Sequence, residues 1–180
     1  VPDPMLGTLE DFRDLLAACK EREIHVIMDL VLNHTADNHP WFQEACDYLR
    51  SLPAGEEPNP EDCPYVDYYY FTRESAVNYH PVSGSEWYYE GKFSPNMPDL
   101  NLGYGPVRRE IDAIMSYWLG MGVDGFRLDA AKEFYSGNTP KNVEVLSWIQ
   151  QTAASYKEDV FAGWKWTWEW RFNNYKGSWQ

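Results

Sequence analysis

At 180 residues the chain is long enough for one domain with a real core, and short for a large barrel enzyme, which takes about 250. A hydrophobic fraction of 44% marks it as globular, and a formal net charge of -13 argues against nucleic acid or an anionic membrane as a partner, because phosphate binding needs a basic surface. An acidic surface admits a neutral polar substrate such as a sugar, and aromatics at 17% suit the apolar faces of sugar rings as well as ordinary core packing.

The opening Val1-Pro2-Asp3-Pro4 has no methionine, so the native N-terminus is expected upstream. No secretory signal and no apolar stretch long enough to span a membrane are present in the sequence, which leaves localisation open. Thr8 with Asp11 resembles a capping box, and Leu9, Phe12, Leu15, Leu16 and Cys19 recur at helical spacing behind it. The run from His25 to Leu32 is nearly all apolar, which predicts a strand of a parallel sheet buried on both faces and ending at Asn33-His34. Residues 35 to about 105 show no long periodicity and carry Pro, Gly, Asn and Tyr clusters. Seventy such residues exceed an ordinary loop and predict a functional insertion or small subdomain.

Pro106 opens a second predicted helix with Val107, Ile111, Ile114, Met115, Trp118 and Leu119 inward, ended by Gly120 and Gly122. A strand over 123–131 follows, then a helix from Pro140 through Val143, Leu146 and Ile149, then a strand at Val160-Phe161-Ala162. Helix and strand alternate strictly, which predicts parallel βα units in a barrel or a doubly wound sheet. No GxGxxG or P-loop pattern supports a nucleotide-binding sheet. Cys19, Cys46 and Cys63 lack metal-ligand spacing and read as structural thiols.

Within Gly125-Phe126-Arg127-Leu128-Asp129-Ala130-Ala131-Lys132, an arginine and a carboxylate two residues apart reach the same side of a strand. Charges inside an apolar run are paired or used, so the alternatives are a structural ion pair and a catalytic site. Parallel α/β folds gather their chemistry at the C-terminal ends of strands. Two successive strands here end in polar groups: Asp29, Asn33 and His34 on one, Arg127 and Asp129 on the other.

Asp29-Leu30-Val31-Leu32-Asn33-His34 and the Gly125–Lys132 run resemble two signatures of the α-amylase family of glycoside hydrolases, and Met97-Pro98-Asp99-Leu100-Asn101 resembles a third. All three stand in the family's order, and the resemblance covers nearly the whole chain, from about residue 3 to about residue 162. The resemblance implies an α/β chain, a segment of a (β/α)₈ TIM barrel with a B domain inserted after the third strand. Residues 1–34 and 106–162 are then barrel segments, residues 35–105 the insertion, and 163–180 an atypical tail. It also implies retaining cleavage of α-glucosidic bonds in starch-like glucans or maltooligosaccharides. Asp129 takes the place of the nucleophile, where a neighbouring cation suits a carboxylate. Asp29 braces Arg127, while His34 and Lys132 stand at substrate-contacting positions. Glu133 stands where many members have His. Asn33 matches a calcium ligand in many, though not all, members, and Ca²⁺ is the only cofactor implied.

The pattern breaks after residue 162. Retaining hydrolysis needs a second carboxyl group, an acid/base about 5–5.5 Å from the nucleophile. The family places it as Glu at the end of the strand that here reads Val160-Phe161-Ala162-Gly163-Trp164-Lys165-Trp166, and Glu169 comes several residues late. Five of the nine tryptophans fall between 164 and 179. A strand with an aromatic sugar-binding face is one reading, and a displaced reading frame near residue 163 accounts for both anomalies. The alternatives to an α-amylase are an oligosaccharide α-glucosidase or neopullulanase-like enzyme, and a non-catalytic relative that lacks the acid. Holding only about three of eight barrel strands, the isolated 180-residue polypeptide is expected to be unstable and inactive.

Overall fold

A computed structural model describes residues 5–165 and 170–172, with side chains for residues 5–161. The chain forms two compact units, one from residues up to Val31 together with those from Ile111 on, the other from Leu32 to Glu110. In chain order the elements begin with α1 (Leu9–Lys20), β1 (Ile27–Leu30) and α2 (Pro40–Ser51). Three short strands follow, β2 (Phe71–Thr72), β3 (Tyr79–Pro81) and β4 (Tyr88–Glu90). Then come α3 (Gly105–Met121), β5 (Gly125–Leu128), α4 (Thr139–Tyr156), β6 (Phe161–Lys165) and β7 (Trp170–Phe172).

The first unit is built on a sheet of order β1-β5-β6-β7. β1, β5 and β6 run parallel in successive register, each joined to the next by a connection that contains a helix. This is the repeating βα unit of a (β/α)₈ barrel, present here as a segment. An added Cβ at Gly125 would lie 1.8 Å from the Phe161 carbonyl oxygen, so a glycine is needed for β5 to approach β6 this closely. Phe126 and Leu128 of β5 are buried, as are Val145, Leu146, Ile149 and Ala153 of α4. β7 pairs antiparallel with β6, a turn-back that the alternating pattern does not predict.

The capping box forms as predicted: Thr8 Oγ1 accepts the Asp11 N–H at 3.2 Å, and the Asp11 carboxylate accepts the Thr8 N–H at 2.7 Å. Four expectations from periodicity shift. β1 is shorter than predicted, covering only Ile27–Leu30. Ile114, placed inward by spacing, is exposed. Gly120 lies inside α3, and Gly122, at φ +115, ends it. β5 stops at Leu128 because Ala130 turns into the left-handed region at φ +53.

The second unit holds an antiparallel sheet of order β2-β4-β3 and the helix α2. α2 starts at a His39 cap followed by Pro40 and buries Phe42, Ala45, Cys46 and Leu49 at i, i+3, i+4 and i+7. The ring of Phe42 packs edge-on against Tyr69 and Tyr89, with centroids 5.1 and 4.8 Å away. Much of the aromatic surplus therefore serves this core. Cys46 and Cys63 are buried and free, and burial pushes the Cys46 thiol up to about 12.

Candidate active site

A charged cluster lies at the C-terminal edge of the β1–β5 pair. Asp29 and Arg127 are register partners on neighbouring parallel strands, so their side chains leave the sheet on the same face. Arg127 Nη1 donates to Asp29 Oδ2 at 2.6 Å, and Nη2 donates to Asp129 Oδ1 at 2.9 Å. A guanidinium is a rigid planar fork, and spending its two terminal nitrogens on two carboxylates fixes the direction of both. Exposure rises from 18% for the Arg127 side chain through 37% for Asp129 to 58% for Asp29. The cation is thus shielded, and Asp129 is oriented yet open to solvent.

The loop after Asp129 is held from below. Ala130 takes a left-handed backbone conformation, which costs a non-glycine residue roughly 1–2 kcal/mol. Asn142, 2% exposed on α4, offsets part of this cost. Its Nδ2 donates to the carbonyls of Lys132 at 2.6 Å and Tyr135 at 3.2 Å, while its Oδ1 accepts the Tyr135 N–H at 2.7 Å. Asn142 was not among the sequence candidates, though its signal is there. It shares the spacing of Val145, Leu146, Ile149 and Ala153, and a polar residue in an apolar stripe must find partners. Within the loop Lys132 is half-exposed with its Nζ 3.6 Å from Glu133 Oε1, and Ser136 Oγ donates to Glu133 Oε2 at 2.9 Å.

Asn33 and His34 belong to the second unit. Asn33 is 2% exposed, and its Nδ2 donates to Asp99 Oδ1 at 2.9 Å. The Leu100 N–H donates to the Asn33 carbonyl at 2.8 Å, and the Lys92 N–H to Asp99 Oδ2 at 3.2 Å. Burial pushes the Asp99 carboxyl up to about 7, against the Lys92 N–H that favours its charge. His34 bridges to Asp99 through the backbone, and its ring meets Phe93 edge-on at 5.7 Å. Calcium takes six to eight oxygen ligands. Among the described residues no group of three or more His, Cys, Asp or Glu side chains gathers, and each Asp99 oxygen already accepts an N–H. Asn33 thus meets a single carboxylate, Asp99, with no such group around it among the described residues. Glu169, the late acid candidate, lies outside the described residues.

Residues 3–174 match the family model described as alpha amylase, catalytic domain. Alpha-amylase 3 of Dictyoglomus thermophilum is 37% identical over 163 residues, covering 88% of this chain and 30% of that protein. Oligo-1,6-glucosidase of Parageobacillus thermoglucosidasius is 39% identical over 136 residues, covering 68% of this chain and 22% of that protein. An amino acid transporter heavy chain of Mus musculus is 31% identical over 175 residues, covering 87% of this chain and 24% of that protein. Among solved structures, Eubacterium rectale Amy13B superposes with a TM-score of 0.87 at 46% identity, covering 89% of this chain and 32% of that one. The chain spans less than a third of the length of these curated relatives.

Proposed function

The chain belongs to the α-amylase family of glycoside hydrolases, and from that premise we propose that the full-length protein cleaves α-glucosidic bonds of starch-like glucans or maltooligosaccharides with retention. The observation that carries this reading is Asp129 at the C-terminal edge of β5, gripped by Arg127, which is itself anchored on Asp29. Asp129 attacks the anomeric carbon while the bond to the leaving sugar oxygen breaks, and an acid protonates that oxygen. Water, deprotonated by the same acid/base group, then cleaves the glycosyl ester and returns Asp129. Arg127 holds the attacking carboxylate in line and Asp29 braces Arg127. His34 and Lys132 enter as substrate contacts on the strength of the family motifs alone.

Proton NMR of the first sugar released by the full-length protein tests the reading: the α-anomer is expected first, and an initial β-anomer contradicts it. A second reading, an oligosaccharide α-glucosidase, is favoured by the likeness to the Parageobacillus oligo-1,6-glucosidase. Products from starch, maltotriose and isomaltose separate the two, since cleavage of isomaltose with little action on starch selects the glucosidase. The mouse relative, described as a transporter heavy chain, supports a non-catalytic third reading. Maltose binding without turnover in the full-length protein would select it.

A further inference from the structure

The site described above still needs a second carboxyl group, and the sequence after Gly163 departs from the family pattern where that group belongs. Trp stands at positions 164, 166, 168 and 170. Tryptophan has the single codon TGG, so the protein itself reveals much of the DNA beneath this stretch. Read from the third base of the Gly163 codon, the last base of TGG for Trp164 joins the first two bases of either lysine codon. The result is GAA, a glutamate, whatever codons the gene prefers. One apolar residue (Leu, Met or Val) precedes it, and Met or Val follows. The next codon is fixed as aspartate by Trp166 with Thr167, and a later one as glycine by Trp168 with Glu169.

The glutamate falls where the chemistry requires it. Restoring one base within the Gly163 codon keeps that glycine, places the apolar residue at position 164 and the glutamate at position 165. β6 runs parallel to β5 with Arg127 opposite Gly163 and Leu128 opposite Trp164, where the ladder ends, and one further step in that register sets position 165 beside Asp129. Register partners on neighbouring parallel strands share a face, and such strands lie about 4.8 Å apart. A retaining glycosidase sets its two carboxyl groups about 5–5.5 Å apart. In the frame that yields the tryptophans, Lys165 occupies that place. The backbone changes character there too: the β1, β5 and β6 strands run parallel, whereas β7 turns back against β6, with Lys165 opposite Trp170. The charge also changes, with three basic residues and one acidic after Gly163 in a chain of net charge -13.

We propose that the native protein is read in the displaced frame beyond Gly163, and that its acid/base is the glutamate so encoded at position 165. The catalytic half of this inference rests on the reading of Asp129 as a retaining nucleophile. The test is a tryptic peptide map of the full-length protein from its native source, with the gene sequenced across the same codons. The expected peptide begins at Glu158 and runs through Gly163 into the apolar residue, glutamate, Met or Val, and aspartate, with no cleavage at position 165. A glutamine codon at position 165 in that frame is expected to lower turnover by about 10²–10⁴-fold. Unchanged turnover would overturn the role assigned to the glutamate. Recovery of the peptides Glu158–Lys165 and Trp166–Arg171 from the native protein would overturn the displaced frame itself, and would leave the anomeric test of Asp129 untouched.

Discussion

At the N-terminal rim of the β1–β5 pair, Asp124 accepts the Val26 N–H on one oxygen at 2.8 Å and the Lys157 ammonium on the other at 2.7 Å. Burial works against its charge, but the Lys157 ammonium, the Val26 N–H and His25 outweigh it and hold the carboxyl below its ordinary value. At the C-terminal rim, Asp129 accepts from Arg127, a cation it shares with Asp29, and its side chain is 37% exposed. The first carboxylate ties β1, β5 and the end of α4 together. The second is aimed and left accessible. Barrel enzymes divide stability and chemistry between their two rims in this way, and the difference can be read from where each carboxylate's hydrogen-bond partners come from.

The largest test of the contrast is Asp129→Asn in the full-length protein. Turnover is expected to fall by at least about 10⁴-fold, with a Tm change of under about 2 °C. A large loss of Tm with partial activity would make Asp129 a structural group like Asp124. Arg127→Met comes next. Misdirecting the nucleophile is expected to cost about 10²-fold in kcat, and leaving Asp29 and Asp129 without their shared cation about 1–3 kcal/mol in a denaturant melt. An unchanged kcat would remove Arg127 from the catalytic account.

Much of this division is legible in the sequence, because charged residues at Asp29, Arg127 and Asp129 interrupt apolar runs and few physical situations tolerate that. Periodicity also located α1, α3, α4, β5 and the start of β6. It missed α2, whose Phe42, Ala45, Cys46 and Leu49 have helical spacing but stand within a stretch crowded with Pro, Asn and Tyr. It missed Asn142 because spacing arguments count apolar residues, although the buried stripe of α4 runs through Asn142, Val145 and Leu146. The antiparallel pairing of β7 with β6 depends on which strands are neighbours, which no local pattern encodes. The partners of Asp124 are likewise distant in sequence, so its clamp is invisible before folding.

Two smaller effects sharpen the comparison. Asp124→Asn is expected to cost about 1–2 kcal/mol at neutral pH while kcat stays within about twofold. A carboxyl held below its unfolded value stabilises above that value, 3.8, and loses the contribution as pH falls through the folded value, so wild type and variant should converge in acid. A constant gap from pH 7 to pH 3 in urea melts would show that the clamp is not ionic. Smallest of all, EDTA is expected to move the Tm of the full-length protein by less than about 2 °C, because no group of three or more His, Cys, Asp or Glu side chains gathers among the described residues. A fall several times larger would make Asn33 and Asp99 metal ligands.

The most direct measurement is to trap the covalent intermediate. Full-length protein treated with a fluorinated α-glucosyl fluoride should gain the mass of one glycosyl group, placed by peptide mass spectrometry on Asp129 and absent from Asp129→Asn. Label on another carboxylate, or steady turnover of natural substrate with no label on Asp129, would contradict its assignment as the nucleophile.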